Sequence, residues 1–194
     1  MRVLFVSLSV FILDQASKLY IKGFSFPFLR LHHSGMYEGQ RIPIIDNLFN
    51  ITFVENSGIA FGIYFGIEFK LIISILTILA AIGLLIYLFK IKDKSLSLRL
   101  SVALIFGGAL GNLADRIFYG LFYGYSGLFY GKVVDFFDIR IFNLLLFNKT
   151  LSNYVFNIAD IAVTTGVIML LFSFSKKPST NPIEKYLADN EELS

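Results

Sequence analysis

The chain has 194 residues, of which 56% are hydrophobic and only 16% charged, and a mean hydropathy of +0.70 excludes an ordinary soluble globular domain. The net charge of +3 and pI of about 9.0 come from basic residues gathered at the ends of apolar runs, which reads as a topology signal and implies no nucleic-acid partner. The absence of cysteine excludes disulfide staples, thiolate nucleophiles and thiolate metal sites, leaving one integral membrane domain over residues 1–194.

A helix needs about 20 apolar residues to cross a bilayer, and four spans are expected, at about residues 3–22, 69–90, 99–117 and 154–174. The first follows a positive start, as a signal peptide would, but no small-x-small cleavage site follows it and helical periodicity continues to Lys22. It is therefore expected to be retained. Asp14 and Lys18, four apart, share a helix face with the acid N-terminal to the base, either as a structural ion pair or in contact with a ligand. At 1.5 Å of rise per residue Asp14 lies about 16 Å deep.

Residues 24–29 hold Pro27 and several aromatics, as at a membrane interface. The adjacent His32 and His33 read as solvated loop residues; no HExxH is present and no metal site is expected. Residues 42–54 mix Ile, Phe, Thr and Val with turn residues at Asp46-Asn47 and Asn56-Ser57-Gly58, which predicts a small extramembrane sheet. After the second span, Lys90, Lys92, Lys94 and Arg99 mark a cytoplasmic loop, which puts both termini on the cytoplasmic side.

In the third span Gly107 and Gly111 form a GxxxG pair, widened by Gly108, so a neighbouring helix can approach closely. Packing does not account for Asn112 and Arg116, one turn apart on one face with Asp115 beside them, although an arginine snorkelling to headgroups is the plain alternative for Arg116. Residues 118–130 read as an interfacial loop. Residues 133–141 read as an extended piece carrying Asp135 and Asp138, of which only one need be more than a loop acid. An apolar insertion at 142–147 precedes the fourth span, where Asn157 and Asp160 lie three apart on one face. The tail 176–194 is polar, with a short helix expected at 183–188.

On this topology Asp14, Asn56, Asn112, Arg116, Asp135, Asn157 and Asp160 share the outer half of the membrane or the layer just above it. Two carboxylates close together in a partly dry site cannot easily both ionise, which leaves one acid and one base, as amide hydrolysis by an activated water requires.

Five blocks carry a resemblance. They are Asp14-Gln15-x-x-Lys18, Glu55-Asn56-x-Gly58-x-Ala60-Phe61, Gly107-Gly108-Ala109-x-Gly111-Asn112-x-x-Asp115-Arg116, Val133-Val134-Asp135-Phe136 and Phe156-Asn157-x-Ala159-Asp160. In this order the chain resembles the lipoprotein signal peptidases (signal peptidase II), the bacterial aspartic intramembrane proteases. The resemblance implies a membrane all-α fold with a small β portion, namely a four-transmembrane-helix bundle with an extramembrane β-cradle and both termini cytoplasmic. It implies a catalytic dyad of Asp135 and Asp160, with Asp14, Lys18, Asn56, Gly108, Asn112, Arg116 and Asn157 lining or supporting the site. It also implies cleavage of diacylglyceryl-modified prolipoproteins before the lipidated cysteine, at the outer face of the cytoplasmic (inner) membrane. Membrane lipid and prolipoprotein are then the partners, no cofactor or metal is needed, and the chain is expected to be monomeric. The stretches near 31–41 and 142–147 are longer than in a minimal member.

Rival readings are weaker. A Ser-Lys peptidase needs a serine facing Lys18, but Asp14 already offers that lysine a partner, and no GxSxG elbow is present. The DTG and GxGD signatures of other aspartic proteases are also missing. A proton-coupled carrier would use intramembrane carboxylates too, but no internal repeat is visible and the polar groups cluster off-centre.

Overall fold

The structure, a computed structural model, describes residues 2–46, 48–58, 67–139, 145–146, 149–150 and 154–175. Helix α1 (Leu4–Lys22) is apolar and stops at Gly23, whose φ of 85° only glycine adopts readily and whose N–H closes the helix on the Leu19 carbonyl at 2.8 Å. Helix α2 (Ile67–Lys90) carries no charged residue between Lys70 and Lys90. Helix α3 (Leu96–Ala114) starts at Ser95, whose hydroxyl accepts from Leu98 N–H. It runs on through a π-helical turn (Asp115–Tyr119) into one last turn, α4 (Gly120–Phe122).

Small residues let the helices meet. A methyl group at Gly107 would strike the Ser7 backbone of α1, and one at Gly108 would strike the Ala159 carbonyl of helix α5 (Ile158–Ser175). The Ser7 hydroxyl donates to the Ala103 carbonyl at 2.7 Å, and Ser97 meets Ser173 at 2.8 Å. The pairings 7 with 103 and 14 with 111 make α1 parallel to α3; those of 97 with 173 and 108 with 159 make α5 antiparallel to it. Val3 of α1 packs in one core cluster with Leu88 and Ile91 at the end of α2. The start of α1, the basic segment after α2 and the end of α5 therefore share one end of the helical layer.

At the other end sits the sheet. Strands β1 (Phe24–Phe26) and β2 (Leu31–His33) form a hairpin around a 3-10 turn. Strands β3 (Arg41–Ile45), β4 (Phe49–Asn56), β5 (Val133–Ile139) and β8 (Tyr154–Phe156) form an antiparallel sheet in the order β3-β4-β5-β8. A further pair, β6 (Leu145–Leu146) with β7 (Lys149–Thr150), lies in the region of the apolar insertion. Ile21, Phe53, Tyr119, Val134 and Phe136 bury one another where α1, α3 and the sheet join. Loss of a buried aromatic such as Phe136 to alanine costs about 3–5 kcal/mol, so this junction fixes strand to helix.

Among the described residues three helices are long and apolar enough to cross a membrane, Leu4–Lys22, Lys70–Lys90 and Leu96–Phe122; a fourth apolar stretch, Ile158–Ser173, is shorter. Several expectations are corrected. The fourth helix does not begin at 154, because Tyr154–Phe156 pairs with β5 and Asn157 then caps α5. Residues 118–122 are helical, not loop. His32 and His33 stand in strand β2, with the His33 ring stacked on Tyr20 at 4.7 Å. Asp138 is no loop acid either: it is a fully buried strand residue whose Oδ2 accepts from Thr52 at 2.9 Å and meets Arg41 Nε at 3.3 Å. Residues 176–194, with the tail helix expected at 183–188, lie outside the described residues, as does most of the insertion at 142–147.

Candidate active site

Lys18 is the buried hub. Its ammonium group lies 2.8 Å from Asp14 Oδ2, 2.8 Å from Asp115 Oδ2 and 2.9 Å from Asn112 Oδ1, so its three hydrogens meet three acceptors. Lys18, Asp14 and Asp115 are all 0% exposed. Buried charges are tolerable only when paired and hydrogen-bonded, and both acids have further donors. Asp14 Oδ1 accepts from Ala159 N–H at 2.9 Å, while Asp115 accepts from Gln15 Nε2 at 2.9 Å and from Val134 N–H at 3.2 Å. This knot therefore touches α1, α3, α5 and β5 at once.

From Asn112 the network passes outward through amides. Its Nδ2 donates to Asp160 Oδ1 at 2.9 Å, and its Oδ1 also accepts from Asn157 Nδ2 at 3.0 Å. Asn157 and Asp160 form a capping box on α5: Asn157 Oδ1 accepts from Asp160 N–H at 3.0 Å, and Asp160 Oδ2 accepts from Asn157 N–H at 3.1 Å. The three-residue spacing thus has a local cause. Asn157 Nδ2 donates in addition to Asp135 Oδ1 at 2.7 Å, so one asparagine joins both carboxylates. Asp135 Oδ2 accepts from Asn56 Nδ2 at 3.1 Å, and Asn56 Oδ1 accepts from Gly58 N–H at 2.9 Å.

Asp135 is 3% exposed. Burial and the neighbouring Asp160 charge push its carboxyl up to about 7, against the pull of the Asn56 and Asn157 hydrogen bonds and of Lys18. Arg116 donates from Nη1 to the Asn112 carbonyl at 3.3 Å and stands within electrostatic reach of Asp115, Asp135 and Asp160. A cavity of about 290 Å³ beside Asp160 is lined by Tyr154, Phe156, Ile161, Thr164 and Thr165. A larger apolar cavity of about 470 Å³, between α1 and α3, touches none of these acids.

Asp14, Lys18, Asn56, Asn112, Arg116, Asp135, Asn157 and Asp160, singled out in the sequence, are thus joined in one network, and Gly108 stands one turn before Asn112 as the close contact with α5. Asp115 and Gln15 were not among the selected site residues. Asp115 lies four residues after Gly111, on the small-residue face that meets Asp14, and that spacing was the available signal. Among the described residues no group of three or more His, Cys, Asp or Glu side chains is placed to hold a metal ion.

The sequence model of the signal peptidase (SPase) II family matches residues 6–176. The lipoprotein signal peptidase of Clostridium acetobutylicum is 39% identical over 131 residues, 68% of this chain and 73% of that protein. That of Fusobacterium nucleatum is 33% identical over 171 residues, 87% of this chain and 82% of that protein. A solved bacterial membrane enzyme, determined by the in meso method at 1.9 Å resolution, superposes with a TM-score of 0.64 at 31% identity, covering 91% of this chain and 94% of that one.

Proposed function

The chain belongs to the signal peptidase II family, and from that premise we propose that it cleaves signal peptides from prolipoproteins by an aspartic mechanism, just before the diacylglyceryl-modified cysteine, with Asp135 and Asp160 as the catalytic pair. The observation that carries the mechanism is the Asn157 bridge, whose side chain holds Asp135 at 2.7 Å while its backbone N–H holds Asp160 at 3.1 Å. Among the described residues no ion pair fixes either carboxylate, so both remain available to exchange protons.

Asp135 holds the proton, since burial and its neighbour disfavour its charge. Asp160 as carboxylate takes a proton from a water that attacks the scissile carbonyl, while Asp135 gives its proton to the carbonyl oxygen. As the gem-diol collapses, Asp160 returns its proton to the departing cysteine nitrogen, and one diol hydroxyl returns a proton to Asp135 as the carbonyl re-forms. Arg116 supplies a positive charge within electrostatic reach of the dyad, while the Asn112 and Asn157 amides hold the two carboxylates in place. No metal or cofactor enters this scheme.

The protein is a multi-pass bacterial membrane protease. Four helices span the cytoplasmic membrane in the proposed arrangement: α5, 18 residues and so about 27 Å long, approaches the hydrocarbon thickness of about 30 Å. Lys90, Lys92, Lys94 and the chain termini face the cytoplasm, while the sheet and the acids face outward. Membrane lipid surrounds a monomer. The test is cleavage of a diacylglyceryl-modified prolipoprotein by the purified chain and by Asp135→Asn and Asp160→Asn, with thermal unfolding in detergent as the folding control. Both variants should be folded and inactive; full activity in either would overturn the dyad.

A further inference from the structure

Beside the acids, outside the membrane-spanning helices, Glu55 joins three parts of the chain. Its Oε2 accepts from Lys132 Nζ at 2.6 Å and its Oε1 forms an ion pair with Lys22 Nζ, so one carboxylate ties the end of α1 and the entry to β5 onto β4. The Lys22 and Glu55 side chains are only 8% and 9% exposed. Lys22 Nζ also lies over the Tyr123 ring at 4.2 Å and the Tyr125 ring at 4.8 Å, which covers the pair from the side of the α4 segment. Burial would raise the Glu55 carboxyl, but the two lysines outweigh it and hold Glu55 below its ordinary range, so the clamp stays charged at neutral pH.

The clamp lies next to the proposed chemistry. Glu55 pairs with Val134 and Asn56 with Val133 across the β4–β5 ladder, and Val54 pairs with Asp135. Asn56 then places its amide on Asp135 Oδ2 at 3.1 Å. Lys132 immediately precedes β5, so Glu55 sets where the strand carrying Asp135 enters the sheet relative to the residue that binds it. A displacement of about 1 Å at a reacting group can cost about a hundredfold in rate.

We propose that Glu55 is a positioning residue, whose paired lysines hold β4 and β5 in the alignment that keeps the Asn56 amide on the Asp135 carboxylate. The proposal rests on the reading of Asp135 as catalytic. It implies that loosening the clamp alters the acid itself, because Asn56 is one of the donors that hold the Asp135 carboxyl down. The other charged groups facing Asp135 are Asp160 of α5, Lys18 of α1 and Arg116 of the π-helical turn after α3; Lys70 of α2 is near Glu55 and Lys132.

The test uses the full chain in detergent with a diacylglyceryl-modified prolipoprotein. Folded Glu55→Gln should lose about tenfold in kcat with KM little changed, and its alkaline limb of activity should move to higher pH. Unchanged kcat, a change in KM alone, or a lower kcat with the limb in place would overturn the proposal. If Glu55→Gln does not fold, Lys132→Gln, whose side chain is 29% exposed, decides by the same readings. Activity retained by Asp135→Asn would instead mean that the dyad reading had failed, whatever Glu55→Gln does.

Discussion

Two pairs of aspartates lie in one network and differ in what binds them. Asp14 and Asp115 share the ammonium of Lys18 at 2.8 Å each and are wholly buried. Asp135 and Asp160 are held by the amides of Asn56, Asn112 and Asn157. The Lys18 ammonium gives the first pair a charged partner, whereas the amides orient the second pair and bring it no formal charge. In the proposed reading the first pair builds the site, and the second does the chemistry in it.

The comparison breaks most visibly by exchanging one acid at a time. Asp135→Asn or Asp160→Asn should lower the cleavage rate by at least about 10²–10⁴ with thermal unfolding little changed. Lys18→Met should do the reverse in kind: it strands two buried carboxylates and should cost about 3–5 kcal/mol of stability, read as a lower midpoint in detergent, with activity lost as a consequence. Arg116→Ala should reduce kcat by about a hundredfold while Lys94→Ala leaves it unchanged, and equal effects would contradict the placement of Arg116 beside the acids.

A pH profile sharpens the same contrast. Since Asp135 keeps its proton up to about 7, kcat should fall about tenfold per pH unit above that point. The sign for stability follows from the same group: the folded state holds a proton that the unfolded chain releases from about pH 4, so this contribution is full below pH 4 and is lost as pH rises through about 7. The smallest expected effect is that of a chelator, which should leave the rate unchanged; loss of activity restored by zinc would displace the aspartic mechanism.

Much of the site was legible because its chemistry is local in spacing. Asp14 and Lys18, four apart in a helix, pair as their spacing requires, and Asn157 and Asp160, three apart, form the capping box that starts α5. Gly107 and Gly108 announced close helix contact, although not that the first meets α1 and the second α5. Asp115 escaped selection because its partner lies about a hundred residues away in sequence, and Glu55 because neither of its lysines is near it in the chain. The start of α5 was misplaced because residues 154–156 are apolar and suit a span as well as a strand; pairing with β5 decided between them.

The sequence by itself determined a membrane chain, its apolar segments, the short-range pairs and the set of acids and amides set into an apolar background, because hydropathy and helical periodicity act over neighbouring residues. Only the tertiary structure decided which acids share a lysine and which share amides. That division depends on burial and on distances between α1, α3, β5 and α5, and no spacing along the chain encodes it.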